Sequence, residues 1–145
     1  MRGVPLLRTE FDAAGLPLLR SLVEEAGVRA GLGTAVRGAL VQAVAEIATD
    51  TVEHGSGAGT VDIRSLDGEL CCEVTEHGPG PTAPRCAGCG PRLAEALITA
   101  PGAGAGRVRV HGTARGTSTT LSVPLPASAT APTATAPPAT APPVR

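Results

Sequence analysis

Two stretches decide how this chain folds: Glu46-Ile47-Ala48-Thr49-Asp50-Thr51-Val52-Glu53-His54-Gly55 and Val74-Thr75-Glu76-His77-Gly78-Pro79-Gly80. In the first, Glu46, Asp50 and either Glu53 or His54 recur at i, i+4 and i+7 or i+8, which sets them along one edge of a helix. Val36, Leu40, Val44, Ile47 and Thr51 follow at helical spacing on the same segment, so a buried stripe runs beside the acids rather than opposite them. A row of acids is ordinarily a solvated face. At the border of a buried stripe it can instead line a cleft, where a hard cation such as Mg²⁺ takes one or two carboxylate oxygens and completes its shell with water and phosphate. In the second stretch a strand-like run carries Glu76 near its end and then breaks at Gly78-Pro79-Gly80. Gly78 allows a ligand close to the backbone, and Glu76 can accept a hydrogen bond from an exocyclic amine.

The rest of the chain follows outward from these two. Residues 4–11 read as a short strand or extended arm. Leu16, Leu18, Leu19, Leu22, Val23 and Val28 predict an amphipathic helix, broken by Gly31-Leu32-Gly33. Thr34 suits the N-cap of the second helix, which runs to His54 with Gly55 just past its end. After Gly59 the period switches to two: Thr60–Arg64 and Glu69–Val74 alternate around an Asp67-Gly68 turn, which predicts a hairpin. Residues 75–90 read as loop, Pro91 to Ala100 as a short helix, and Arg107–His111 with Thr119–Val123 as a second hairpin. Two hairpins beside three helices predict an α+β two-layer sandwich, with helices on one face of a mixed or antiparallel sheet. Residues 1–126 form one domain on this reading. The Ala/Pro/Thr stretch 127–145 cannot bury enough apolar surface to fold and is expected to be a disordered tail.

Composition narrows the function. The chain has 145 residues and 42% hydrophobic residues, yet its only aromatic is Phe11, so the core must be built from Val, Leu, Ile and Ala. Modules that stack single-stranded bases on aromatic rings are excluded, and a net charge of −1 leaves no basic stripe for a nucleic-acid backbone. All 12 cationic side chains other than histidine are arginine, which excludes a P-loop lysine and Schiff-base chemistry. No apolar run approaches the ~18–20 residues of a membrane span, and the N-terminal apolar stretch is too short for a signal peptide. A cytoplasmic location is expected, with the four cysteines reduced.

A third element, Gly88-Cys89-Gly90, precedes the short helix, where free backbone amides and the helix dipole attract phosphate. With these elements in order, the chain resembles the GHKL ATPase superfamily of gyrase, chaperone, histidine-kinase and MutL type. Within it the sequence is most similar to small bacterial anti-sigma factor serine/threonine kinases, over roughly residues 4–126. The motif Glu-x-x-x-Asn-x-x-x-His-Gly reads Glu46, Asp50, His54, Gly55, and Asp-x-Gly-x-Gly reads Glu76, Gly78, Gly80. Gly-x-Gly-x-x-Leu reads Gly88, Gly90, Leu93, and the closing Gly-Thr-Thr reads Gly116, Thr117, Ser118. The resemblance implies a Bergerat-type ATP-binding fold with ATP and Mg²⁺ as cofactors. It implies Glu46 as general base, Asp50 as Mg²⁺ ligand, and Glu76 on the adenine amine. It also implies Gly78, Gly80, Gly88 and Gly90 around base and phosphates, with Thr117 and Ser118 at the base edge. The implied partners are a sigma factor and an anti-anti-sigma antagonist, with a homodimer as the form many relatives take.

Two positions depart from the motif. Asp50 stands for asparagine and adds a charge beside a triphosphate; like charges ~4 Å apart repel by roughly 4 kcal/mol at an effective dielectric near 20 unless a metal bridges them. Glu76 stands for aspartate and sets the carboxylate one methylene further out, putting at stake a charged hydrogen bond of roughly 1.5–3 kcal/mol. Weakened nucleotide binding is therefore expected, and a catalytically decayed partner-binding module of the same fold is the alternative. Cys86-Ala87-Gly88-Cys89 offers a zinc or redox reading, with His77 as a further ligand. Cys71 and Cys72 cannot easily join one site, because adjacent strand residues point to opposite faces.

Overall fold

The computed structural model describes residues 3–77, 89–100, 105–113 and 116–126. Its elements run β1 (Val4–Asp12), a single 3-10 turn (Ala13–Gly15), α1 (Leu16–Ala30), α2 (Thr34–His54), β2 (Ala58–Leu66), β3 (Glu69–His77), α3 (Cys89–Thr99), β4 (Arg107–Thr113) and β5 (Gly116–Pro124). Among the described residues the strands form one sheet in the order β1-β2-β3-β5-β4, and every neighbouring pair is antiparallel. Of the mixed and antiparallel arrangements left open by the sequence, the chain adopts the second. For two of the pairs the reason is local: β2–β3 and β4–β5 are consecutive in sequence and need no crossover.

The three helices lie on one face. α1 packs on β1, α2 on β2, β3 and β5, and α3 on β4, while α1 and α3 both flank α2. Alternation along the strands turns Val61, Ile63, Leu70, Cys72, Val74, Leu121 and Val123 toward the helices, where all are buried. α2 answers with Leu40, Val44, Ile47 and Thr51 from the expected stripe and adds Val41, Ala43, Ala45 and Ala48. The buried face is wider than the stripe because α2 is flanked by a helix on either side, so small alanines are covered too. Phe11, the one aromatic, is 4% exposed and closes the β1 end of the core.

Several boundaries differ from expectation for definable reasons. Gly33, not Thr34, is the N-cap of α2: its carbonyl accepts the first helical bond from Arg37 N–H at 2.8 Å, and Thr34 is already helical. The Asp67-Gly68 reversal has φ of 52° and 79°, the left-handed pair of a two-residue hairpin, which glycine adopts at no steric cost. Residues 75–77, expected as loop, continue β3, because Thr75, Glu76 and His77 pair with Ser118, Thr117 and Gly116 of β5. α3 starts at Cys89 rather than Pro91, leaving Pro91 in its first turn. Gly78, Gly80, Cys86, Gly88 and the expected tail 127–145 lie outside the described residues.

The cysteine pair splits as alternation requires. Cys72 pairs with Ile63 and Leu121 in the core, whereas Cys71 pairs with Arg64 and Ser122 on the opposite face. Both are free thiols. Burial, reinforced by the charges of Asp62, Cys71 and Glu73, pushes the Cys72 thiol far above its ordinary range. The thiolate is the reactive form, so Cys72 is chemically quiet.

Two outcomes follow. Leu40 is fully buried, and Leu40→Ala is expected to cost about 2–5 kcal/mol in urea unfolding. Arg107→Ala, which removes an exposed pair with Glu69, changes stability by less than about 1 kcal/mol. Equal losses for the two would contradict the core assignment. Iodoacetamide at neutral to mildly basic pH is expected to leave Cys72 unmodified in the native chain and to label it after unfolding, as read by peptide mass mapping. Native labelling at the unfolded rate would contradict the burial.

Candidate functional site

A cavity of about 220 Å³ opens where α2 faces the ends of β3, β5 and β4. Its polar lining is Asp50 and Thr51 from α2, Glu76 from β3, and Thr117 and Thr119 from β5. Ile47, Val74, Pro91 and Val110 supply the apolar walls. The two stretches that opened the sequence reading therefore meet in one hollow, and the β5 segment joins them there. Register explains why. Glu76 pairs with Gly59 on one side and Thr117 on the other, so Glu76 and Thr117 share the helix-covered face at the end of the sheet.

Glu76 is 4% exposed, and its Oε2 accepts a hydrogen bond from the backbone N–H of Ser56 at 3.1 Å. This satisfies one lone pair of a carboxylate removed from water. Gly55, the C-cap of α2, lies directly against that carboxylate. Asp50 is half-buried and lines the cavity from the helix. Glu46, one turn earlier and about 6 Å along the helix axis, does not line it. Its Oε2 accepts a hydrogen bond from Gln42 Nε2 at 2.8 Å, and Gln42 Oε1 accepts one from Arg20 at 3.1 Å. The chain Arg20–Gln42–Glu46 thus fixes the Glu46 carboxylate from α1. His54 is exposed beside Glu53, 3.8 Å away, at the end of the helix.

The structure brings Asp50, Glu76 and Thr117 together and leaves Ser118 apart. Ser118 faces the other side of the sheet, where its hydroxyl shares a 3.2 Å hydrogen bond with Thr75. Side chains alternate along a strand, so one face cannot take both Thr117 and Ser118. Thr119, two residues on and 4% exposed, is the residue that accompanies Thr117. The same period-two rule is the signal that could have found it. Thr51 was legible as part of the buried stripe; that it also lines a cavity needed the sheet in place. Gly90 falls in the first turn of α3 beside Pro91, while Gly78, Gly80 and Gly88 are outside the described residues.

The donor set suits the base end of a nucleotide. A carboxylate acceptor and two threonine hydroxyls sit among aliphatic walls, the usual make-up of a small-molecule pocket. The volume is below the roughly 300–1,000 Å³ of pockets that enclose a whole ligand. Among the described residues that line it, none is an arginine.

Comparison with known proteins agrees with this architecture. The sequence matches the histidine kinase-like ATPase domain over residues 9–107. No curated protein matches it. Among solved structures it is similar to the catalytic domain of histidine kinase ThkA, with 17% identity, a TM-score of 0.50, and coverage of 82% of this chain and 97% of that one. It is also similar to the Acinetobacter baumannii histidine kinase AdeS, with 13% identity, a TM-score of 0.51, and coverage of 86% of this chain and 69% of that one. At these identities the neighbours establish the fold. The family match spans more than half of the chain, and the protein belongs to the histidine kinase-like ATPase domain family, the GHKL group of ATP-binding regulatory modules.

Proposed function

We propose that this protein is an ATP-binding serine/threonine kinase of the anti-sigma type, acting on an anti-anti-sigma antagonist and holding a sigma factor. The observation that carries the nucleotide part is the cavity that gathers Asp50, Glu76 and Thr117 under aliphatic walls. The kinase class and its partners rest on the similarity of the motifs.

Each side chain has a defined task on this reading. The Glu76 carboxylate accepts the hydrogen bond of the adenine amine, and Thr117 and Thr119 border the same base. Ile47, Val74 and Val110 keep water from it, which strengthens those polar contacts. Asp50 holds Mg²⁺, which when bound supplies the positive charge that neutralises phosphate oxygens. The free amides that open α3 at Cys89 and Gly90 would serve the phosphates, since the helix dipole there favours anions. Glu46, kept in one orientation by Gln42, accepts the proton of the attacking serine or threonine hydroxyl. Its place one turn beyond Asp50 suits a group that acts at the far end of the nucleotide rather than at the base.

Titration with a fluorescent ATP analogue is expected to show Mg²⁺-dependent binding. Glu76→Ala should weaken it roughly tenfold or more, the scale of a lost charged hydrogen bond. Glu46→Ala should leave that affinity within a few-fold and lower labelled-phosphate transfer to an antagonist protein by about 10²–10⁴-fold, the contribution of a general base. Absence of Mg²⁺-dependent binding at millimolar nucleotide would sink the proposal. Tight antagonist binding indifferent to ATP and Mg²⁺ would replace it with a partner-binding module.

A further inference from the structure

We propose that Gly55 is a positioning residue for the base pocket: its missing side chain is the seat that holds the Glu76 carboxylate. The proposal rests on the nucleotide reading above and deepens it.

Three observations converge on this pair. A β-carbon added to Gly55 would lie 2.5 Å from Glu76 Oε2 and 2.6 Å from both its Cδ and Oε1, so the whole carboxylate head occupies the space a side chain would need. The Gly55 backbone, with φ −110° and ψ −138°, lies outside the left-handed region, so a positive φ does not account for glycine here, and the carboxylate stands where a side chain would be. Ser56, the next residue, donates its N–H to the same carboxylate at 3.1 Å. The end of α2 therefore meets the Glu76 head with a hydrogen bond to Oε2 and with the space that the missing Gly55 side chain leaves.

The consequence concerns where the acceptor stands in the cavity. A glutamate on β3 projects one methylene further than an aspartate from the same backbone position. Projected straight into a hollow of about 220 Å³, that methylene would take volume from the base. Seated against Gly55, it leaves the hollow open with the carboxylate held at the end of α2. Gly55 and Glu76 then act as one unit. A side chain at position 55 drives the carboxylate into the pocket, and a shorter acid at position 76 vacates the seat and makes a side chain at 55 tolerable.

A double-substitution cycle tests this in the full chain, with two readouts. Gly55→Ala, Glu76→Asp and the pair are compared by thermal melting and by titration with a fluorescent ATP analogue in Mg²⁺. Gly55→Ala is expected to lower the melting temperature by several degrees and weaken analogue binding roughly tenfold or more. In the Glu76→Asp background the same change should cost little in either. If Gly55→Ala does not fold, recovery of a cooperative melt in the double variant supports the proposal. Equal losses in both backgrounds, or two unfolded variants, overturn it, since a glycine needed only to end α2 would not be rescued by shortening an acid on β3. If the wild-type chain binds no nucleotide, the reading of the function fails, while the melting cycle still decides the coupling of Gly55 to Glu76.

Discussion

The structure depends on one packing constraint: a single face of α2 must lie along the middle of an antiparallel sheet that offers almost no aromatic surface. With Phe11 alone at one end, the central contact is made of Leu40, Val44 and Ile47 against Val61, Ile63, Cys72, Val74 and Leu121. Aliphatic side chains bury less area apiece than rings do. Compensation comes from close approach, because Ala43 and Ala48 are fully buried on the same helix and let its neighbours pack near the backbone. α1 and α3 complete the layer by flanking α2 and covering the outer strands β1 and β4.

That constraint also makes the cavity. The buried face of α2 continues to Thr51, but Val110 of β4, on the helix-facing side at this end, is 52% exposed. Helix and sheet meet without filling the gap between them, and the polar residues at the border line it. A carboxylate in such a place is costly unless it is bonded. Glu76 answers with the Ser56 amide at the end of the same helix, an arrangement that works against the negative end of the helix dipole and needs the direct hydrogen bond to offset it. Asp50 sits nearer solvent, where a hydrated cation can reach it.

Most of the fold was legible because its signals are local. The shift from helical to alternating period after Gly59, the Asp67-Gly68 turn and the break at Gly31 each act over a few residues, and each element formed where these signals place it. The site was legible in its outline, since Asp50 and Glu76 were singled out and share one cavity. What escaped was register. A list of motif letters treats Thr117 and Ser118 as a pair, whereas a strand sends them to opposite faces and sets Thr119 beside Thr117. The extension of β3 through Glu76 escaped for a related reason: a Gly/Pro-rich stretch reads as loop until the partner strand that fixes its first three residues is in place.

The departures from the motif look different once the geometry is known. From the sequence, Glu76 carries a penalty because its carboxylate reaches one methylene further than aspartate. In the fold, the extra length runs into the vacancy at Gly55, so the chain has a place to store it without displacing a base. Asp50 differs in that the change is one of charge rather than of length. Its charge enters a cavity whose described lining already holds Glu76 and no arginine, and Coulomb repulsion between two carboxylates is relieved by a cation between them or by distance. The two substitutions therefore differ in kind. The one at position 76 is absorbed by packing, whereas the one at position 50 puts a charge beside the cavity that a neutral asparagine amide would not.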